Sequence, residues 1–250
     1  MLAPGEGLHT GNNCAFILPP SSFIHHPSFM PILIAPSILA ADFSHLADEV
    51  RRVEEAGADW IHCDIMDGHF VDNISFGPAI VKTVRQLTSL PLDVHLMIEH
   101  PDHYVPRFVE AGANSITVHV EPESKHEVAG TLQQIRDAGC QTGLTLNPAT
   151  SFESIEPFLS RLDLILIMTV HPGFGGQSFR AEQLEKIRHA RDWKTANNSA
   201  IYIEADGGIT PETAPLCIES GANVLVAGTA IFHSADYRRS IAQLKSDDAN

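Results

Sequence analysis

Apolar residues along this chain fall into two alternating rhythms. Short runs rich in β-branched residues have the length and composition of buried strands: "ILIAPSI" (32–38), "WIHCDI" (60–65), "LDVHLMI" (92–98), "SITVHV" (115–120), "QTGLTL" (141–146), "LDLILIMTV" (162–170), "AIYIEA" (200–205) and "VLVAG" (224–228). Between them, segments such as "HLADEVRRVEEA", "PAIVKTVRQLT", "ESIEPFLSRL" and "AEQLEKIRHARDW" carry the spacing of helices with one buried face. The junctions themselves recur, as "EEAGAD" at 54–59, "VEAGAN" at 109–114, "RDAGC" at 136–140 and "IESGAN" at 218–223. Each places a glycine where a helix ends and a strand begins, since glycine accepts the left-handed conformation a helix C-terminus favours.

Strict alternation of helices with apolar strands implies a parallel sheet covered by helices. Eight such units in about 220 residues predict a (β/α)8 TIM barrel near the lower end of its size range. A doubly wound open sheet is the alternative, but it would more often carry a glycine-rich loop after the first strand, where this chain has "SILAADF".

Composition narrows the reading. With 250 residues and 44% apolar content, one large domain over 31–250 is expected, preceded by a flexible N-terminal extension over 1–30. That extension has no Lys or Arg, and its one apolar run ends at Pro19-Pro20, so neither a secretory signal nor an Arg-rich transit peptide fits. Met30 is an alternative start, because patterned sequence begins just after it. The 16 basic against 31 acidic residues, a formal charge of −15, argue against nucleic acid and anionic membranes as partners. No apolar run approaches the ~20 residues that cross a bilayer. Four cysteines without a CxxC pair argue against a zinc knuckle or a disulfide framework and fit a reducing, cytoplasmic compartment.

In a barrel, reactive groups collect at the C-terminal strand ends. His62 and Asp64 share one face of the second strand while Cys63 faces the other way, Asp93 and His95 repeat that spacing on the third, Asp206 ends the seventh, and Ser37 ends the first. Imidazoles and carboxylates from three strands are able to converge on one divalent metal, because nitrogen and oxygen donors suit zinc, iron, manganese or cobalt. A lone strand histidine is more often structural; two histidines buried with two acids and no metal would cost several kcal/mol. The glycine loops "HPGFGGQ" (171–177), "DGG" (206–208) and "AGT" (227–229) follow the last three strands, where this fold commonly binds phosphate. The bland alternative is that they are tight turns. Asp67 precedes Gly68 and reads as a turn residue, and His69 as a loop residue. The remaining histidines, including His25, His26, His100, His103 and His233, read as surface or structural.

Taken in order, "APSILAADFSHL", "DIMDGHF", "DVHLMI", "LNPAT", "PGFGGQSF", "EADGGI" and "GANVLVAGTAIF" resemble the ribulose-phosphate 3-epimerases across residues 32–234. The resemblance implies an isomerase of the pentose phosphate pathway. It would interconvert D-ribulose 5-phosphate and D-xylulose 5-phosphate by proton transfer at C3 through a metal-stabilised enediolate. It implies one divalent metal (Fe2+, Zn2+, Mn2+ or Co2+) held by His62, Asp64, His95 and Asp206, with Asp64 and Asp206 exchanging the proton. Ser37, His95 and the loop Gly173, Phe174, Gly175 and Gly176 would contact the phosphorylated ketopentose. Asp206 would do so too, and Gly207, Gly208, Gly228 and Thr229 would hold its phosphate. Met66, Met97 and Met168, three of five methionines, would cap the intermediate rather than simply pack the barrel. A homo-oligomer is expected. The chain departs from the family pattern at Asp72 (usually Pro), Thr229 (mostly Ser) and His171 (Asn or Glu); the first and last bear on loop motion or substrate preference.

Epimerisation needs acid and base groups on opposite faces of the carbon, and strands two and seven are expected to supply them from opposite sides of the ring. A 3-epimerase of a six-carbon ketose phosphate such as allulose 6-phosphate stays open. Lyase relatives would favour a lysine near the strand ends, which the second and third strand motifs lack, and a non-catalytic binding protein should lack one of the two aspartates.

Overall fold

The computed structural model describes residues 31–245, so the expected extension over 1–30 lies outside the described residues. Eight parallel strands run as β1 (Leu33–Pro36), β2 (Ile61–Met66), β3 (Leu92–Met97), β4 (Ser115–His119), β5 (Gln141–Leu146), β6 (Leu164–Met168), β7 (Tyr202–Asp206) and β8 (Val224–Ala227). From β2 to β8 each strand pairs with the next in sequence, and β8 pairs with β1. A parallel bridge between Ser37 and His62 links the ends of β1 and β2, which completes the ring. The barrel, rather than the open sheet, is the architecture.

Helices cover the outside: α1 (Leu46–Glu55), α2 (Pro78–Leu87), α3 (Pro101–Ala111), α4 (Val128–Asp137), α5 (Leu184–Ala196), α6 (Ala214–Ser220), α7 (Thr229–Phe232) and α8 (Tyr237–Lys245). The repeated junction glycines do the work expected of them: Gly57, Gly112, Gly139 and Gly221 have φ of +97°, +98°, +81° and +118°. Between β5 and β6 the helical pattern "ESIEPFLSRL" forms two 3-10 segments, Phe152–Ser154 and Glu156–Arg161, instead of an α-helix. Pro157 explains the change, because it cannot give the N–H that an α-helix would direct back to Glu153.

Strand residues alternate between two environments. Ile61, Cys63, Ile65, Val94, Leu96, Ile116 and Val118 pack outward with helix residues such as Val50, Val53, Val81, Val84 and Phe108. The inward set divides by chemistry. Ala35, Leu164, Leu166, Met168, Val224 and Val226, from β1, β6 and β8, form an apolar cluster. His62, Asp64, Asp93, His95, Ser115, Thr117 and His119, from β2, β3 and β4, are polar and buried, as is Glu204 on β7. One half of the barrel interior is therefore dry packing, and the other is a buried network of hydrogen-bonding groups.

Candidate active site

The parallel register of β2 and β3 sets His62 beside Asp93 and Asp64 beside His95. Two strands with the same alternation thus build a two-by-two polar patch. His62 Nε2 and His95 Nδ1 each lie 3.2 Å from Asp64 Oδ1. Ser37 Oγ donates to Asp64 Oδ2 at 2.5 Å, and Asp206 Oδ2 on β7 lies 3.9 Å from His95 Nδ1. One donor atom from each of His62, Asp64, His95 and Asp206 falls within 4.8 Å of all the others. This mixed nitrogen and oxygen set, buried except for the half-buried Asp206 and converging from three strands, fits a divalent ion.

The two carboxylates differ electrostatically. Burial works against charge on Asp64, but the neighbouring His62 charge and hydrogen bonds from His62 and His95 outweigh it and hold the group well below the usual carboxylate range. For Asp206 the His62 charge also favours the ionised form, but burial and the Asp64 charge outweigh it and push its carboxyl up to about 7. His62 is raised well above its ordinary value, since Asp64 and Asp93 overcome the cost of burying its charge. Burial lowers His95 to about 4.

His62 is oriented from behind: its Nδ1 donates to Asp93 Oδ2 at 2.7 Å, which leaves Nε2 facing Asp64, and Ser115 Oγ donates to the other Asp93 oxygen. The sequence pattern marked Asp93 without giving it this task. Glu204 Oε1 lies 3.7 Å from His62 Nδ1, and burial with the Asp93 charge raises its carboxyl well above the ordinary value. Among the remaining histidines, read as surface or structural, His119 is fully buried, with Nε2 2.9 Å from His95 Nε2 and Nδ1 2.8 Å from Glu121 Oε2. Its spacing to Glu121 copies that of His62 to Asp64, which is the signal available in "TVHVE".

Above these groups opens a cavity of about 670 Å³. Its wall includes Ser37, Asp64 and Asp206, the three methionines Met66, Met97 and Met168, the loop Gly173–Gly176, and Gly207, Gly208, Gly228 and Thr229. His62 and His95 have no exposed surface and stand behind the carboxylates. His171 lines the cavity, while Asp72 is exposed and lies off its wall. Asp67 forms the turn expected of it, accepting from the N–H groups of His69, Phe70 and Glu99. β2 and β7 stand three places apart around the ring rather than opposite, because only β1 and β8 separate them.

Residues 33–232 match the Ribulose-phosphate 3 epimerase family. The chain is 50% identical to the ribulose-phosphate 3-epimerase of Synechocystis, over 86% of this chain and 94% of that protein. It is 49% identical to the Bacillus subtilis ribulose-phosphate 3-epimerase, over 86% and 98% of the two chains. A chloroplastic ribulose-5-phosphate-3-epimerase of Arabidopsis thaliana is 46% identical over 92% of this chain and 82% of its own length. Among solved structures, 3-hexulose-6-phosphate synthase from Salmonella typhimurium superposes with a TM-score of 0.65 at 14% identity, covering 86% of this chain and 97% of its own. That last likeness establishes the fold alone. The identities over nearly the whole barrel establish more: the chain belongs to the ribulose-phosphate 3-epimerase family and is an isomerase.

Proposed function

We propose that this chain interconverts D-ribulose 5-phosphate and D-xylulose 5-phosphate, with a divalent metal, by proton transfer at C3 between substrate and two aspartates. The observation that carries the reading is the pairing of Asp64, held ionised, with Asp206, able to keep a proton near neutral pH, on the wall of one cavity. A base and an acid with separated pKa values are what a two-face proton exchange requires. Asp64 takes the proton in one direction and Asp206 returns one from the other side. In the reverse direction the roles exchange.

A divalent ion bound by His62, Asp64, His95 and Asp206 would supply Lewis-acid stabilisation of the negative charge that develops on the substrate oxygens. Ser37 fixes the Asp64 carboxylate through its short hydrogen bond and, with the loop Gly173–Gly176, faces the sugar. Met66, Met97 and Met168 present polarizable sulfur beside the reacting carbon and keep water away from it. Gly207, Gly208, Gly228 and Thr229 receive the phosphate. His95, with no exposed surface, is assigned to the metal and not to the sugar.

The relatives are named for ribulose phosphate, which supports the five-carbon substrate over a six-carbon ketose phosphate and a place in pentose phosphate metabolism. Residues 31–250 would form the single catalytic domain. The buried free thiols Cys63, Cys140 and Cys217 support a reducing compartment, and no helix among the described residues is long and apolar enough to cross a membrane. Exposed Phe43 and Ile74 would supply apolar surface for self-association; sedimentation as a monomer alone would contradict the homo-oligomer.

Incubation with ribulose 5-phosphate in heavy water, with iron, zinc or manganese added, should place deuterium at C3 of xylulose 5-phosphate. Exchange confined to a six-carbon ketose phosphate would overturn the substrate. Asp206→Asn should reduce turnover by roughly 10²–10⁴-fold or more; near-normal turnover would remove Asp206 from the proton-transfer pair.

A further inference from the structure

The motif "LNPAT" (146–150) has no part in the chemistry described so far, yet two of its residues reach a carboxylate in the polar half of the barrel. The Asn147 N–H and the Thr150 hydroxyl both donate to Glu121 Oε1, at 2.7 and 2.6 Å. Lys186, on α5, holds the loop from outside by donating to the carbonyls of Asn147 and Pro148 at 3.0 and 2.9 Å. Glu121 is 7% exposed, and its second oxygen meets His119 Nδ1 at 2.8 Å. His119 is wholly buried, faces Phe70 with ring centroids 4.5 Å apart, and reaches His95 Nε2 at 2.9 Å.

Hydrogen-bond polarity along this row follows from its outer end. Glu121 Oε1 is occupied by two donors, and hydrogen bonds with His119, Thr150 and Asn147 offset the burial penalty and keep the carboxyl below its ordinary range. Oε2 is therefore an acceptor, and His119 Nδ1 must carry the hydrogen. With Nδ1 committed to Glu121, Nε2 is the atom His119 can offer as an acceptor. In the metal-free protein His95 Nδ1 lies within hydrogen-bond reach of Asp64 Oδ1; once a metal takes Nδ1, the His95 hydrogen must sit on Nε2, where His119 Nε2, 2.9 Å away, accepts it. His95 Nδ1 faces Asp64 and Asp206, the direction in which the metal is expected.

We propose that Glu121 and His119, fixed by the "LNPAT" loop, are positioning residues that set the ring orientation and tautomer of His95 for metal binding. The proposal rests on the reading of His95 as a metal ligand. His62 is set by one carboxylate in direct contact, Asp93; His95 is set by a carboxylate acting through a second imidazole. The row joins the ends of β4 and β5 to the metal site, and it involves no group that touches the sugar.

Glu121→Gln separates this role from simple packing. The Asn147 and Thr150 donors will keep the amide oxygen, so the amide nitrogen must face His119 and donate. His119 then donates to His95, and the His95 hydrogen moves to the atom that should bind metal. Zinc affinity, measured by competition with a chromophoric chelator, should fall by roughly 10- to 100-fold while the far-ultraviolet circular dichroism is unchanged. Wild-type zinc affinity in Glu121→Gln would overturn the proposal. Nitrogen-15 NMR of the histidine rings in the zinc-loaded wild-type protein decides the matter even if that variant does not fold. His119 should carry its hydrogen on Nδ1 and leave Nε2 bare toward His95; a hydrogen on His119 Nε2 overturns it. Failure of the wild-type protein to bind zinc, iron, manganese or cobalt would instead overturn the metal reading on which the proposal rests.

Discussion

Asp64 and Asp206 share one side-chain chemistry and are driven apart by their neighbours. Two imidazoles and a serine hydroxyl surround Asp64, whereas Asp206 meets chiefly low-polarity surroundings and the Asp64 charge. A consequence for metal binding follows. In the metal-free protein Asp206 keeps a proton up to about pH 7, and His62 keeps its second proton above its ordinary range. The His62 proton must leave before its nitrogen can bind metal, while a carboxyl such as Asp206 can offer one oxygen to the ion with its proton on the other. Lowering the pH below 7 should therefore weaken metal affinity by roughly tenfold per pH unit, with about one proton released per ion bound. Calorimetry in buffers of different ionisation enthalpy measures that release, and pH-independent affinity between 5 and 7 would contradict it. At this scale the sequence is partly readable. His62, Asp64 and His95 stand out because alternating polar residues are anomalous in buried strands. His119 and Glu121 carry the same spacing, but their meaning depends on a loop N–H and on a neighbouring strand's imidazole, neither of which is encoded in residue type at those positions.

Strands and loops divide the labour differently. All eight strands were readable from their apolar runs, and four of them also from the glycine before them, because a strand buried on both faces leaves a short, dense hydrophobic signature. The 3-10 segments between β5 and β6 were not, because apolar spacing alone does not register the missing N–H of Pro157. The ring order of β2 and β7 likewise depends on closure, which fixes which strands stand opposite. Among the loops, "DGG" has a demanding geometry. Gly207 has φ of +117°, and a methyl group there would lie 2.3 Å from Val170 Cγ2. Gly207→Ala should cost about 1–3 kcal/mol and shift the cavity wall proposed to receive phosphate. Urea unfolding and KM for the sugar phosphate test this together; an unchanged unfolding midpoint would show that the loop yields more easily than its packing indicates.

Across the whole molecule, the division of the barrel interior bears on which changes the protein can absorb. Leu164, Leu166, Val224 and Val226 face other apolar groups, so an exchange that conserves volume alters contacts without stranding a partner. In the polar half a row of side chains answer one another: Ser115 to Asp93, Asp93 to His62, Glu121 to His119 and His119 to His95. Removing one leaves the next buried and unpaired, a far larger penalty than a lost methyl contact. Randomising positions 164, 166, 224 and 226 among aliphatic residues should leave many active proteins, while randomising 93, 115, 119 and 121 among small polar residues should leave very few. Equal survival in both pools, scored by growth or turnover, would contradict the division. Drift among descendants of this chain is thus steered by geometry: lineages are free to vary on the β6, β8 and β1 side and confined on the other, and new catalytic specificities arise more readily from the side that can change without breaking a partner.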